Sequence, residues 1–499
     1  MRTTHLEVIK SRSFSLDVHQ RERKRGREWE MEDDKGCRGH VLLVPYPSQG
    51  HINPMLQFSK RLASKGLKAT LATTVFIFNS MKPDTSPLVG LDTISDGHDS
   101  GGFTEAESIH TYIARLEAAG SKTLSDLIIK YQSTDHPVDC IVYDSFLPWA
   151  LDVAKGFGLI GAPFFTQACA VNYIYYLVHH GHLKVPVESF PVCVPGLPPL
   201  ELRDMPSFIY VAGSYPAYFE MVLHQFLNTD KADWVLVNTF YELEAEVVDT
   251  MSKLCPVTTI GPTIPSMYLD KRVENDIEYG LNLFTLDKST LITDWLRSKP
   301  PSSVVYVSFG SMSSLGHQQM EELAWGLKQS GFQFLWVVRA SEEDKVPKHI
   351  LKLEADDEAD HKEKSKKGLI VNWCPQLEVL SNEAIGCFFT HCGWNSTVEA
   401  LSVGVPMVGM PQWTDQTTDA KLIQDVWKVG VRVRVDEDGV VRRGEIEGCI
   451  REVMDSERGK EMRRNAKKWK ALGREAMSEG GSSDKNIDAF VSSIKNRRA

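Results

Sequence analysis

A chain of 499 residues is too long for one compact core, so two or three domains are expected. Apolar residues make up 42% and charged residues 24%, as in ordinary globular proteins, and no apolar run reaches the ~20 residues that span a bilayer. The formal charge of -10 excludes a nucleic-acid partner, which needs a basic face, but not a phosphorylated ligand held by backbone N–H groups. The nine cysteines, odd in number and scattered, complete no metal-ligand spacing and fit the reduced thiols of a cytoplasmic protein.

Residues 1–37 form a separate segment, expected to be a disordered N-terminal extension. It carries the basic run Arg21-Glu22-Arg23-Lys24-Arg25-Gly26-Arg27 and lacks the apolar stretch of a secretory signal. Met31 offers a second start, and the basic run also fits a nuclear-localisation patch. The first domain is read as residues 38–261. His40-Val41-Leu42-Leu43-Val44-Pro45 is a short buried strand, followed by Tyr46-Pro47-Ser48-Gln49-Gly50-His51. Asn53 is suited to cap a helix with Pro54 in its first position, and Gly66 to close it. Further strands are expected at residues 68–74 and 138–143, the latter ending at Asp144. Residues 262–289, polar and containing prolines, are read as a linker.

The pattern restarts over residues 290–480. A strand at 304–309 leads to a loop opened by Gly310-Ser311, then a helix at 318–329 and a strand at 332–338. The charge-dense stretch 341–367 reads as a solvated excursion. Strands follow at 368–372, 386–391 and 406–410, each leading into a helix. After a helical stretch from Asn465, Gly480-Gly481-Ser482-Ser483 makes a break, and residues 481–499 are expected to form a C-terminal helix packing back on the first domain. Strands alternating with helices imply an α/β protein of two doubly wound, Rossmann-like domains, with ligands between them at the carboxyl ends of the strands. Neither half holds Gly-x-Gly-x-x-Gly or a P-loop, which argues against a dinucleotide oxidoreductase and a phosphotransferase; the missing Gly-x-Ser-x-Gly argues against a serine hydrolase.

The chemistry concentrates between residues 373 and 416. A strand ending at His391 meets a glycine turn, and Ser396 to Glu399 has the spacing of a capping box at the start of a helix. Such a helix N-terminus presents free N–H groups and partial positive charge to a diphosphate. Taken singly, each residue has a plainer role: Ser396 and Glu399 as caps, Trp373 as core, His391 as a structural hydrogen-bonder, and Asn395-Ser396-Thr397 as a chance glycosylation pattern. Together they resemble something specific. The run Trp373-Cys374-Pro375-Gln376-Leu377-Glu378, then His391-Cys392-Gly393-Trp394-Asn395-Ser396-Thr397-Val398-Glu399, then Pro411-Gln412-Trp413-Thr414-Asp415-Gln416 is similar to the signature box of plant secondary-product UDP-glycosyltransferases. The similarity runs from about Gly39 to the C-terminus and includes Pro47-Ser48-Gln49-Gly50-His51-Ile52-Asn53-Pro54.

That resemblance implies the GT-B fold, with its two Rossmann-like domains facing a central cleft. It implies that Trp373 stacks on uracil, that Gln376 helps hold the nucleoside, and that Glu399 accepts from the ribose hydroxyls. Ser311, His391, Asn395 and Ser396 would grip the diphosphate. Trp394, Asp415 and Gln416 would read the sugar, Gln416 favouring glucose, with Thr166 touching it from the first domain. His51 would be the general base and Asp144 the acid that orients it, as in other His–Asp pairs. Singly, His51 is a loop histidine and Asp144 a cap. The implied reaction is one in-line displacement with inversion, giving a β-glucoside and UDP, with no metal and no cofactor beyond UDP-glucose as co-substrate. The acceptor would be a small apolar molecule, and the nearest resemblance is to members acting on carboxylic acids, with relatives acting on terpenoid or steroid hydroxyls. Aromatics at 146–149, 173–182 and 206–219 either line its pocket or belong to the core. A monomer is expected. An epimerase or phosphorylase of similar architecture, and a nucleotide-sugar sensor without turnover, are the alternatives; a sensor has no use for His51 and Asp144.

Overall fold

Strands buried along their whole length arise where apolar runs are covered on both faces, and His40–Val44 and Val304–Ser308 are of this kind. The computed structural model describes residues 38–81, 88–211, 213–280, 289–347 and 367–497. The expectations placed on 1–37, on the end of the linker and on most of the 341–367 excursion lie outside these residues.

Two parallel sheets result. The first contains β1 (His40–Val44), β2 (Lys68–Thr74), β3 (Gly90–Ile94), β4 (Cys140–Asp144), β5 (Ile160–Phe165), β6 (Leu236–Val237) and β7 (Thr258–Thr259), in the spatial order β3-β2-β1-β4-β5-β6-β7. The second contains β8 (Val304–Ser308), β9 (Gln333–Val337), β10 (Gly368–Val371), β11 (Ile385–Thr390), β12 (Met407–Gly409) and β13 (Gly430–Arg432), in the order β10-β9-β8-β11-β12-β13. Strand order therefore reverses between β1 and β4 in one sheet and between β8 and β11 in the other, and such switch points are where open α/β sheets leave a crevice. β5 contains Gly161 and Pro163, poor strand formers, yet its pairing to β6 begins only at Phe164, so the N–H that Pro163 lacks interrupts no rung on that side.

The helix after β1, α1 (Gln49–Ser64), begins earlier than the sequence suggests. Its N-cap is Ser48, and Asn53 and Pro54 lie inside it. His51 is consequently a residue of the first helical turn and not of a preceding loop. Beyond Pro54, one face of α1 carries the linker. Gln57 Nε2 donates to the carbonyls of Glu278 and Tyr279 at 2.8 and 2.7 Å, Lys60 pairs with Asp276 at 2.9 Å, and Arg61 grips Asp270 through two bonds of 2.7 and 2.9 Å. The i, i+3, i+4 spacing puts these three side chains on one side of the helix. At the other end of the chain, α2 (Ser482–Lys495) lies against the first sheet: Ser483 Oγ donates to the Gly261 carbonyl at 2.6 Å and Asn486 to the Thr259 carbonyl at 2.9 Å.

Candidate active site

Three neighbouring strands of the first sheet deliver His51 and its partners. α1 follows β1 and presents His51, β4 ends at Asp144, and β5 leads into Thr166. His51 Nδ1 lies 2.6 Å from Asp144 Oδ2, and Thr166 Oγ1 lies 3.2 Å from the same nitrogen. Asp144 is fully buried and its other oxygen accepts from the Phe146 N–H at 3.0 Å, which fixes the carboxylate plane. A carboxylate only accepts, so Nδ1 carries the proton and Nε2 is left bare to take one. The His51 side chain is 16% exposed, and the rings of Phe146 and Tyr46 stand 4.9 and 5.3 Å from it. Of the aromatics at 146–149, Phe146 is the one beside His51; Trp149, with the aliphatic Leu147, is core.

The second sheet contributes the opposing wall. The helix following β11, α3 (Trp394–Val403), starts at Trp394 with Gly393 as N-cap and no side-chain cap. The capping box expected from Ser396 and Glu399 is absent, because Cys392 adopts a left-handed φ of 66° and turns the chain into the helix before Ser396 is reached. Ser396 thus sits in the first turn, and the N–H groups of Trp394, Asn395 and Ser396 have no intrahelical acceptor. This uncapped end suits an anion better than a capped one would. The Trp394 indole is buried and donates to the Asn238 carbonyl of the first domain at 2.8 Å, leaving its backbone N–H as what it offers a ligand. Asn395 Nδ2 reaches across the cleft to the Gly50 carbonyl at 2.6 Å, next to His51. The two switch points therefore face each other.

Glu399, one turn into α3, is buried and its carboxyl is pushed up to about 7 by burial, against the pull of hydrogen bonds from Gln376 and Tyr279. Gln376 Nε2 donates to both Glu399 Oε2 and Ser396 Oγ at 2.9 Å, while the Tyr306 hydroxyl donates to Gln376 Oε1 at 3.2 Å. Trp373, two residues past β10, is half-buried. His391, just after β11, is pushed down to about 4 by burial, and Arg339 pushes in the same direction; a hydrogen bond to the Ser308 backbone opposes them. A neutral ring has one proton, and with that proton on the Ser308 carbonyl His391 donates to a phosphate only after taking up a second. Gly310, at φ 70°, packs where a Cβ would stand 2.8 Å from His391 Nε2, so the turn after β8 needs glycine twice over.

Four contributors escaped sequence reading. Arg339, at the carboxyl end of β9, donates to the carbonyls of Ser311 and Ser313 and braces the loop that carries Ser311. Tyr306 and Tyr279 hold Gln376 and Glu399 as described. Asp419 is fully buried, and among the described residues neither of its oxygens meets a hydrogen-bond donor. Burial, with Asp415 and Glu244 nearby, raises its carboxyl well above the usual range. The position of Arg339 at a strand end was a usable signal; the other three depend on long-range packing.

The segment expected to read the sugar is fastened to the first domain. Gln416 Oε1 accepts from the N–H groups of Gln412 and Trp413 at 2.9 and 3.2 Å, which leaves Nε2 as its free donor. Ser207 N–H donates to the Thr414 carbonyl at 2.8 Å, Thr414 N–H returns a bond to Ser207 Oγ at 2.7 Å, and Thr417 and Thr418 hydroxyls donate to the carbonyls of Met205 and Asp204, each at 2.7 Å. The rings of Phe208, Tyr215 and Tyr218 lie 6.0, 5.3 and 5.8 Å from Trp413. Behind Phe208 is a largely apolar cavity of about 580 Å³, bounded also by Val178, Ile209, Phe219 and Leu223.

Known proteins are similar to this chain in sequence and fold. The model of the family described as UDP-glucoronosyl and UDP-glucosyl transferase matches residues 280–468, and that of the glycosyltransferase N-terminal domain matches 39–82. The chain is 58% identical to UDP-glycosyltransferase 74F2 of Arabidopsis thaliana, over 92% of this chain and 99% of that one. It is 46% identical to Mogroside I-E synthase of Siraitia grosvenorii, over 91% and 98%. Among solved structures, Os79 from O. sativa in complex with UDP superposes with a TM-score of 0.84 at 42% identity, over 91% of this chain and 100% of that one. No helix of the described residues is long and apolar enough to cross a membrane.

Two outcomes are expected. A carboxylate accepts hydroxyl donors better than a neutral acid, so UDP-glucose affinity should rise by up to roughly tenfold between pH 6 and 8 as Glu399 ionises, and Glu399→Gln should flatten that dependence in calorimetry. The raised carboxyl of Asp419 stabilises the fold below the unfolded value of about 3.9, and this contribution is lost as pH climbs toward the folded value. Asp419→Asn should therefore melt a few degrees above the native protein at pH 8, with the gap closing toward pH 4.

Proposed function

The chain belongs to the UDP-glucoronosyl and UDP-glucosyl transferase family, and from that premise we propose that it moves glucose from UDP-glucose onto a hydroxyl or carboxyl group of a small apolar metabolite. It is a UDP-glycosyltransferase of the GT-B fold, with a UDP-sugar as co-substrate. The observation that carries the proposal is the pairing of a His51–Asp144 dyad with an uncapped helix N-terminus across one cleft, joined by the Asn395–Gly50 contact.

In the proposed mechanism His51 Nε2 removes the acceptor proton as the oxygen attacks the anomeric carbon from the face opposite UDP, and Asp144 stabilises the imidazolium. The leaving diphosphate is met by the N–H groups of Trp394 to Ser396, by the side chains of Asn395 and Ser396, by Ser311, and by His391, whose uptake of a second proton from solvent the nearby negative charge favours. Trp373 and Gln376 hold the base, Glu399 the ribose, and Asp415 with Gln416 the sugar. Thr166 steadies the base through Nδ1 as well as standing beside the sugar. An apolar acceptor is supported by the rings of Tyr46 and Phe146 beside His51 and by the apolar cavity behind Phe208. Solved Os79 complexes include one with a trichothecene, and a curated relative is named Flavonol 7-O-beta-glucosyltransferase UGT74F1. We place the enzyme in the cytoplasm as a monomer; eight free thiols among the described residues, seven of them buried, support a reducing compartment.

A carboxylate acceptor is already ionised near neutral pH and has no proton to lose. His51→Ala is expected to cut transfer to alcohols by roughly 100-fold or more while sparing part of the transfer to acids; equal losses in initial-rate assays would contradict the base. Gln416→His should erode the preference for UDP-glucose over UDP-galactose, measured as a ratio of kcat/KM, because it removes the donor that the two backbone bonds orient.

A further inference from the structure

The Gly50 carbonyl is available to Asn395 for a reason found four residues along. In a regular helix the carbonyl of residue 50 accepts from the N–H of residue 54. Residue 54 is Pro54, inside α1; it has no N–H, and a proline ring crowds the carbonyl four residues before it and turns it outward. Asn395 Nδ2, from the opposite domain, donates to that carbonyl at 2.6 Å.

We propose that Pro54 is a positioning residue for the transfer reaction. By denying Gly50 its helical partner, it gives the carbonyl to Asn395, and the bond holds the first turn of α1, His51 included, against the diphosphate-binding turn. Asn395 then has one amide hydrogen on Gly50 and one left for a phosphate oxygen, so the same side chain touches the donor and the segment carrying the base. The inference presupposes the transfer chemistry above. The body of α1 is tied down independently, through Gln57, Lys60 and Arg61, so its place does not depend on residue 54.

The test compares Pro54→Ala and Pro54→Val, both of which restore the N–H, the second also filling the buried volume. Melting temperature, kcat and KM for UDP-glucose are measured, alone and combined with Asn395→Ala. The expected result is an undiminished melting temperature in at least one variant, a kcat lowered about tenfold or more, and a KM for UDP-glucose within about twofold of native. Asn395→Ala should cost less in the Pro54 variant than in the native background, because the coupled bond is already weakened. Unchanged kcat, or costs that simply multiply in the double variant, would overturn the role of Pro54. Failure of the native enzyme to release UDP with any acceptor would instead overturn the functional premise, so the two failures are distinct.

Discussion

In an acidic protein, a helix end with free N–H groups offers an anion positive potential without a cluster of basic side chains, and the uncapped first turn of α3 is such an end. Three backbone N–H groups stand without intrahelical partners because the turn through Cys392 and Gly393 brings the chain into the helix with no side chain folded back over its end. Much else nearby follows from keeping that end open and aimed. The Trp394 indole pins the helix start to Asn238, Gly310 lets the neighbouring loop pass over His391, and Arg339 supplies positive charge indirectly by holding the loop carbonyls.

α1 acts as the keel of the molecule. Its first turn bears His51, the proposed base; its later turns bind the segment between residues 270 and 280, in which Tyr279 meets Glu399. A helix of the first domain thus reaches Glu399 of the second through a stretch of chain that looks, by composition, like a flexible connector. Asp270 and Asp276 on that stretch are committed to buried pairs with Arg61 and Lys60, which hold it against α1 despite its polarity.

Much of this was legible in the residues. Apolar runs located β1, β2, β4 and β8 to β12, while β3 and β13 went unread, and the dense motif between Trp373 and Gln416 pointed to the chemistry. What failed did so for identifiable reasons. Pro54 looked like a helix start because proline favours that position, whereas tertiary contacts hold it in the interior. Ser396 and Glu399 had capping spacing, but a left-handed Cys392 moved the helix start and freed both for other partners. β5, β6 and β7 were too short or too rich in Gly and Pro to register. Tyr279 and Tyr306 act through contacts across long stretches of sequence, which periodicity does not encode.

The bonds between residues 204–207 and 414–418 have a consequence for how such enzymes diversify. Because the stretch leading into the apolar cavity and the stretch proposed to read the sugar are joined by one backbone–backbone bond and three hydroxyl–backbone bonds, they form one mechanical unit spanning both domains. A graft that imports only the acceptor-side stretch from a relative inherits half of a clasp. Selectivity for the two substrates is then inherited as a linked pair, and exchanging one alone disturbs the register of the other.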